Sequence, residues 1–177
     1  MKKFLTDFPT FDNITWNSLP PKIVIDPVFT SPNSTTKFFS DQFGKNSVNI
    51  INFNSEIEPL LNSEIRLLKT TEKNAYIRKT IMSINNIKLI YSRICIVENL
   101  LDKTFYKQIY DLGNKPIGNI IFTKSTIRSK FSFAENKDFL FRRSIINNPL
   151  GNILINEGFY KPSLYTIHQE LLKFHQK

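Results

Sequence analysis

The segment from Ala75 to Val97 constrains this chain most. Two runs, AYIRKTIMSI and IKLIYSRICIV, flank Asn85-Asn86. Both are rich in β-branched residues, and Asn accepts the positive φ that a tight hairpin turn needs. A β-hairpin is therefore predicted. Successive side chains of a strand leave on opposite faces. Tyr76, Arg78, Thr80 and Met82 thus share a face of the first arm, and Leu89, Tyr91, Arg93, Cys95 and Val97 share one of the second. Each arm carries an arginine in phase with apolar or aromatic neighbours. Such a side chain either packs its stem and keeps its head wet, or its guanidinium meets a partner.

A second strand is anomalous in a similar way. In NILINEGFY, Ile153, Ile155 and Phe159 alternate in phase with Glu157. The carboxylate then points to the same side as three large apolar groups, where an unanswered charge costs several kcal/mol. Two readings stay open: a structural ion pair, which spacing alone favours, and a ligand or proton-transfer site.

The remaining elements follow from breakers and periodicity. Ser31-Pro32 reads as a helix start, the helix running through NSTTKFFSDQF to Gly44. SVNIINFN reads as a strand, and EIRLLKT, from Glu64, as another. LDKTFYKQIYDLG places Phe105, Ile109 and Leu112 on one helical stripe closed by Gly113. An irregular loop at Pro116 to Gly118 precedes strands at Thr126 to Ala134, Phe139 to Asn147 and Asn152 to Tyr160, and a terminal helix from Ser163 to Phe174. Short connections favour antiparallel pairing. The expected fold class is α+β: a single, mainly antiparallel β-sheet with flanking helices. The 177 residues suit one domain spanning the whole chain. Residues 1–21 form an N-terminal arm, packed through Phe4, Phe8, Phe11 and Trp16.

Several chemistries lack material. Five glycines leave little for a phosphate-cradling loop. The lone Cys95 forms no internal disulfide, and His168 and His175, seven apart on the terminal helix, have no third metal ligand. No metal site is expected. No nucleophile elbow supports a Ser-His-Asp triad. No apolar run is long enough to span a bilayer, and Asp7 and Asp12 interrupt any signal-peptide core. The charge of +9 favours anionic partners, but the basic residues are scattered, which argues against a nucleic-acid track. What survives is arginine with a buried carboxylate. The guanidinium fork matches a carboxylate, and a desolvated Glu with a raised pKa could hold or accept a proton near neutral pH. The pair suits a small organic acid bearing a hydroxyl.

At this point the chain resembles a known family. YIRKTI at Tyr76, SRICIV at Ser92, KPIGNIIFTKSTIR at Lys115, FRRS at Phe141 and INEGFYKPSLY at Ile155 are together similar to chorismate pyruvate-lyase, and especially to its plastid-encoded relatives. The similarity runs from about Ser34 to Tyr165. It implies one antiparallel sheet with a ligand enclosed under helical flaps. It also implies conversion of chorismate to 4-hydroxybenzoate and pyruvate without a cofactor. Arg78 matches the arginine that grips the ring carboxylate, Ile117 a backbone contact, and Glu157 the glutamate that meets the 4-hydroxyl. Arg93 matches a second arginine, which would meet the enolpyruvyl carboxylate. Thr35 stands where the family has a contacting methionine, making the wall more polar. Gly158 replaces a larger residue, which would loosen its strand. The implied partner is a small anionic substrate, chorismate, with no nucleic acid and no membrane span, and the chain is expected to act as a monomer. The resemblance and a composition built on AT-rich codons place it in a plastid; without them the expectation is cytoplasmic.

Two other classes compete. Related folds serve as effector-sensing domains, so the alternative is a non-catalytic module that binds a small aromatic acid. Binding without turnover would favour it. Nucleic-acid binding rests on charge alone, and a steep salt dependence would support it.

Overall fold

The structure, a computed structural model, describes residues 8–21 and 27–174. Phe4 and His175 lie outside them. Among the described residues seven strands form one antiparallel sheet: β1 (Val48–Pro59), β2 (Asn74–Ile84), β3 (Ile87–Ile96), β4 (Ile127–Arg128), β5 (Ser132–Glu135), β6 (Phe139–Asn148) and β7 (Gly151–Tyr160). Their spatial order is β1-β2-β3-β7-β6-β4, with β5 also paired to β6. Six α-helices of the described residues pack around the sheet: α1 (Pro27–Thr30), α2 (Thr35–Phe43), α3 (Asn62–Leu68), α4 (Lys103–Tyr110), α5 (Gly118–Ile121) and α6 (Lys161–Phe174). The α+β class is as the sequence predicts. Among the described residues no helix is long and apolar enough to cross a membrane.

The hairpin turns where expected, with Asn85 and Asn86 at φ of 48° and 65°. One irregularity then matters. Ile84 pairs with Ile87 and Ser83 with Lys88, but Met82 pairs with Ile90. Leu89 is thus an extra residue in β3, and from there on the register moves by one. Arg78 consequently faces Ile94 across the ladder, while Lys79 faces Arg93.

Three local expectations are corrected. EIRLLKT is helical, not a strand. The Leu61 N–H donates to Glu64 Oε2 at 2.9 Å, so the carboxylate caps α3 from its third position, and Lys69 ends the helix at φ 52°. The predicted strand at Thr126 to Ala134 is broken into β4 and β5. The second helix begins at Thr35, where Ser34 Oγ accepts from the Lys37 N–H. Gly44 ends that helix as predicted.

Each face of the sheet carries two apolar clusters with a polar row between them. On one face, α1, α2 and α6 pack Phe29, Phe39 and Ile167 against Met82, Ile90 and Phe159. On the same face, α4 and α5 pack Phe105, Ile109 and Ile121 against Ile94, Ile153 and Ile155. On the other face, α3 covers Ile77, Cys95 and Leu154. The N-terminal arm covers Tyr91, Phe139 and Phe141, with Phe11 in that cluster and Phe8 and Trp16 against it. The two polar rows run level across the ladders: Thr80, Ser92, Glu157 and Arg142 on the first face, Lys79, Arg93, Asn156 and Arg143 on the second.

Candidate active site

The side chains of the second row are already engaged by protein partners. Arg93 donates from Nε to Glu64 Oε1 at 3.0 Å, from Nη1 to Glu58 Oε2 at 2.8 Å and from Nη2 to the Pro59 carbonyl at 2.9 Å. Asn156 donates to Glu64 Oε1 at 3.0 Å. Arg143 reaches Ser63 Oγ and stacks on Trp16, with its guanidinium carbon 4.0 Å from the ring centroid. Burial works against the Arg93 charge, but Glu64 and Glu58 hold its pKa above the ordinary value. This corrects the place assigned to Arg93. It lies on the face opposite Arg78 and Glu157, with its guanidinium already engaged. Arg93→Lys keeps the charge and loses the fork. It is expected to cost about 1–3 kcal/mol in a denaturant melt and to leave ligand binding on the opposite face of the sheet within about twofold.

The first row borders a cavity of about 60 Å³, several times what one water needs. Its floor is the sheet, through Thr80, Ser92, Ile94 and Ile155. Its roof is the start of α2, at Ser34 to Thr36, together with Ile117, Gly118 and Ile121 of the α5 segment. Gly118 lets these two roof pieces meet, because a Cβ there would lie 2.9 Å from Ser34 Oγ. Arg78, Arg128 and Glu157 also line the space.

Arg78 is 2% exposed. Its Nη2 donates to the Gly113 and Lys115 carbonyls, each at 2.8 Å. Among the described residues no carboxylate pairs with it, and burial lowers its pKa. A buried cation held by neutral carbonyls and bordering a cavity is suited to receive an anion. Glu157 sits on the same face. From Arg78 the path runs one side-chain step along β2 to Thr80, then across β3 at Ser92 to Glu157 on β7. That separation is roughly 10 Å across the strands and about 7 Å along them at the backbone. Two inward-reaching side chains shorten it toward the length of a benzoic acid ring.

Glu157 is held as an anion. Arg142, 0% exposed, donates from Nε to Oε2 at 2.7 Å. Thr35 Oγ1 donates to Oε1 at 3.0 Å and itself accepts from Arg142 Nη2 at 2.6 Å. Arg128 Nη2 stands 3.8 Å from Oε2. Burial alone pushes the Glu157 carboxyl up, but Arg142 and Arg128, with the bonds from Arg142 and Thr35, hold it below the usual carboxylate range. The sequence-based expectation of a raised pKa is therefore corrected. A carboxylate has about four acceptor positions, so a ligand hydroxyl can still donate here.

Arg142 does more than pair. Its Nη1 donates to the carbonyls of Val28, Phe29 and Ser31 at 2.7, 3.0 and 3.3 Å. It thereby ties the segment leading into α2 to β6 and Glu157. In the sequence it stands only within FRRS at Phe141, although it alternates in phase with Leu140 and Ile146. Arg128 was missed, inside the segment read as one strand. The hydroxyl that makes the wall at Thr35 more polar is bound by both Glu157 and Arg142. Gly158 does not loosen β7. A Cβ there would lie 3.0 Å from Phe141 Cε1, so the ring occupies the space a side chain would take.

A family model described as Chorismate lyase matches residues 11–170. No curated protein matches the sequence. Among solved structures, the effector domain of PhnF from Mycobacterium smegmatis has a TM-score of 0.51 at 7% identity, covering 73% of this chain and 90% of that one. A putative regulator from Escherichia coli CFT073 has a TM-score of 0.47 at 12% identity, covering 63% and 95%. The PhnF likeness is one of fold. The family match takes in the whole sheet, both roof pieces and the polar row beneath them, and by it the chain belongs to the chorismate lyase family.

Proposed function

We propose that the protein eliminates pyruvate from chorismate to give 4-hydroxybenzoate, with the ring carboxylate on Arg78 and the 4-hydroxyl donating to Glu157. The observation that carries this is Arg78 itself: a buried guanidinium with no carboxylate among the described residues, bordering a cavity that it shares with an ionised Glu157.

The chemistry asks little of the protein. The C3–O bond breaks with its electron pair going to the enolpyruvyl oxygen. The C4–H pair becomes ring π density, and the C4 proton ends on the enol carbon as the methyl of pyruvate. Aromatisation drives the step. The chain's contribution is to hold the substrate at both ends, to exclude water beneath the roof, and to set cations beside the departing oxygen. Glu157, ionised, orients the hydroxyl and carries no proton into the step. Ile117, at the roof, supports a backbone contact to the ligand.

Incubating purified protein with chorismate and separating the products tests the proposal. Release of 4-hydroxybenzoate and pyruvate in equal amounts supports it. Binding of 4-hydroxybenzoate with no turnover of chorismate would favour the sensing module instead. The pH profile gives a second check. Glu157 has a lowered folded pKa, so its charge, and the stability tied to it, is present above the ordinary carboxylate pKa of about 4.3 and is lost only below it. The expected kcat/KM is flat from about pH 8 to about pH 5. A limb titrating near neutrality would mean that Glu157 works as an acid. The composition and the likeness to plastid-encoded relatives support a plastid location, which finding the gene in a plastid genome would establish.

A further inference from the structure

The cations around the cavity outnumber the anions. Arg78 and Arg128 line it, Arg142 stands behind Glu157, and Glu157 is the one carboxylate among the described lining residues. Arg142 satisfies that carboxylate by direct hydrogen bonding. Two guanidinium groups are left without a hydrogen-bonded anion, Arg128 standing 3.8 Å from Glu157. Arg78 is one, and its distance across the sheet from Glu157 reserves it for one end of the ligand.

Arg128 is the other. Its side chain is 5% exposed and lines the cavity. The guanidinium lies between two rings, 5.3 Å from the Phe122 centroid and 5.0 Å from that of Phe131. Its remaining contacts are weak. Nη1 donates to the Pro32 and Asn33 carbonyls at 3.5 and 3.3 Å, and Nη2 is beyond hydrogen-bond reach of Glu157 at 3.8 Å. Its Nε is buried with no partner at all, although a buried donor normally finds one. Burial also draws its pKa down to about 10 despite Glu157. The planar edge of a guanidinium matches the two oxygens of a carboxylate.

We propose that Arg128 is the second anion anchor of the cavity, taking the enolpyruvyl carboxylate, so that the site is matched to a dicarboxylate and holds a monocarboxylate product with one guanidinium unanswered. This rests on the proposed function and assigns the role that Arg93, on the opposite face, does not fill. It also separates substrate from product by charge. Once pyruvate has left, 4-hydroxybenzoate keeps Arg78 and Glu157 but has nothing to offer Arg128.

Calorimetric titration with two ligands tests this. One is 4-hydroxybenzoate; the other is 3-(carboxymethoxy)-4-hydroxybenzoate, a stable compound that adds a second carboxylate at the ether position. Arg128→Gln is expected to weaken the dicarboxylate by about tenfold or more and to leave 4-hydroxybenzoate within about twofold. Arg78→Ala is expected to weaken both, since both carry the ring carboxylate. Equal losses for the two ligands in Arg128→Gln, or none, would overturn the assignment while leaving the lyase proposal standing. Should Arg128→Gln fail to fold, the unmodified protein decides: the dicarboxylate must bind more tightly than 4-hydroxybenzoate, and equal affinity overturns the assignment. If the unmodified protein binds neither ligand, the proposed function falls, and this assignment with it.

Discussion

Arg142→Ala is expected to destabilise the protein by about 3–5 kcal/mol, because it breaks a buried ion pair and leaves one charge behind. The charge left is Glu157, whose carboxylate then keeps only Thr35 as a direct donor and Arg128 at 3.8 Å. The carbonyls of Val28, Phe29 and Ser31 lose their shared donor in the same change. For a chain of this size the loss corresponds to a Tm lower by roughly 6–20 °C. Turnover should fall by about 100-fold even at temperatures where the variant is folded, since Glu157 and the start of α2 lose their common tether. A thermal melt and a chorismate assay on the same preparation read both effects. Loss of stability with normal turnover would show that Arg142 holds the fold and not the site.

Arg78→Ala is expected to separate the two effects. The variant loses the hydrogen bonds to Gly113 and Lys115 but also removes a buried cation that has no anionic partner among the described residues. These terms oppose each other, so Tm should move by only a few degrees, about the shift that 1 kcal/mol produces. Binding behaves differently. Truncating one member of a desolvated charge pair costs about 2–5 kcal/mol, or roughly 30- to 5,000-fold in kcat/KM. Near-normal turnover by Arg78→Ala would refute the role given to it.

The contrast between the two arginines shows what the sequence could carry. Period-two alternation alone placed Glu157 and Arg78 among apolar neighbours, and both are buried on one face. The same rule failed for Arg93 for a local reason. An unbroken two-residue hairpin at Asn85-Asn86 would pair Arg78 with Arg93 and put both in the cavity. The extra residue at Leu89 moves the register by one, and a shift of one carries every later side chain to the opposite face. Nothing in IKLIYSRICIV marks the bulge, since Leu89 is as apolar as Ile87 and Ile90. Glu64 misled for a related reason: EIRLLKT alternates well enough for a strand, and only the return of its carboxylate to the Leu61 N–H makes it a helix start. Arg128 was hidden because the segment holding it is too irregular for any period to report a face. The charge surplus that sets the ligand class is visible only once the faces are known.

One ligand is gripped from both ends inside the first face of the sheet in the proposed complex. A crystal structure with bound 4-hydroxybenzoate tests that most directly. The expected complex has the ring carboxylate on the Arg78 guanidinium, the hydroxyl on Glu157, and the ring over Ser92 and Ile155. A ligand bound the other way round, or seated against Arg93 on the opposite face, would contradict it.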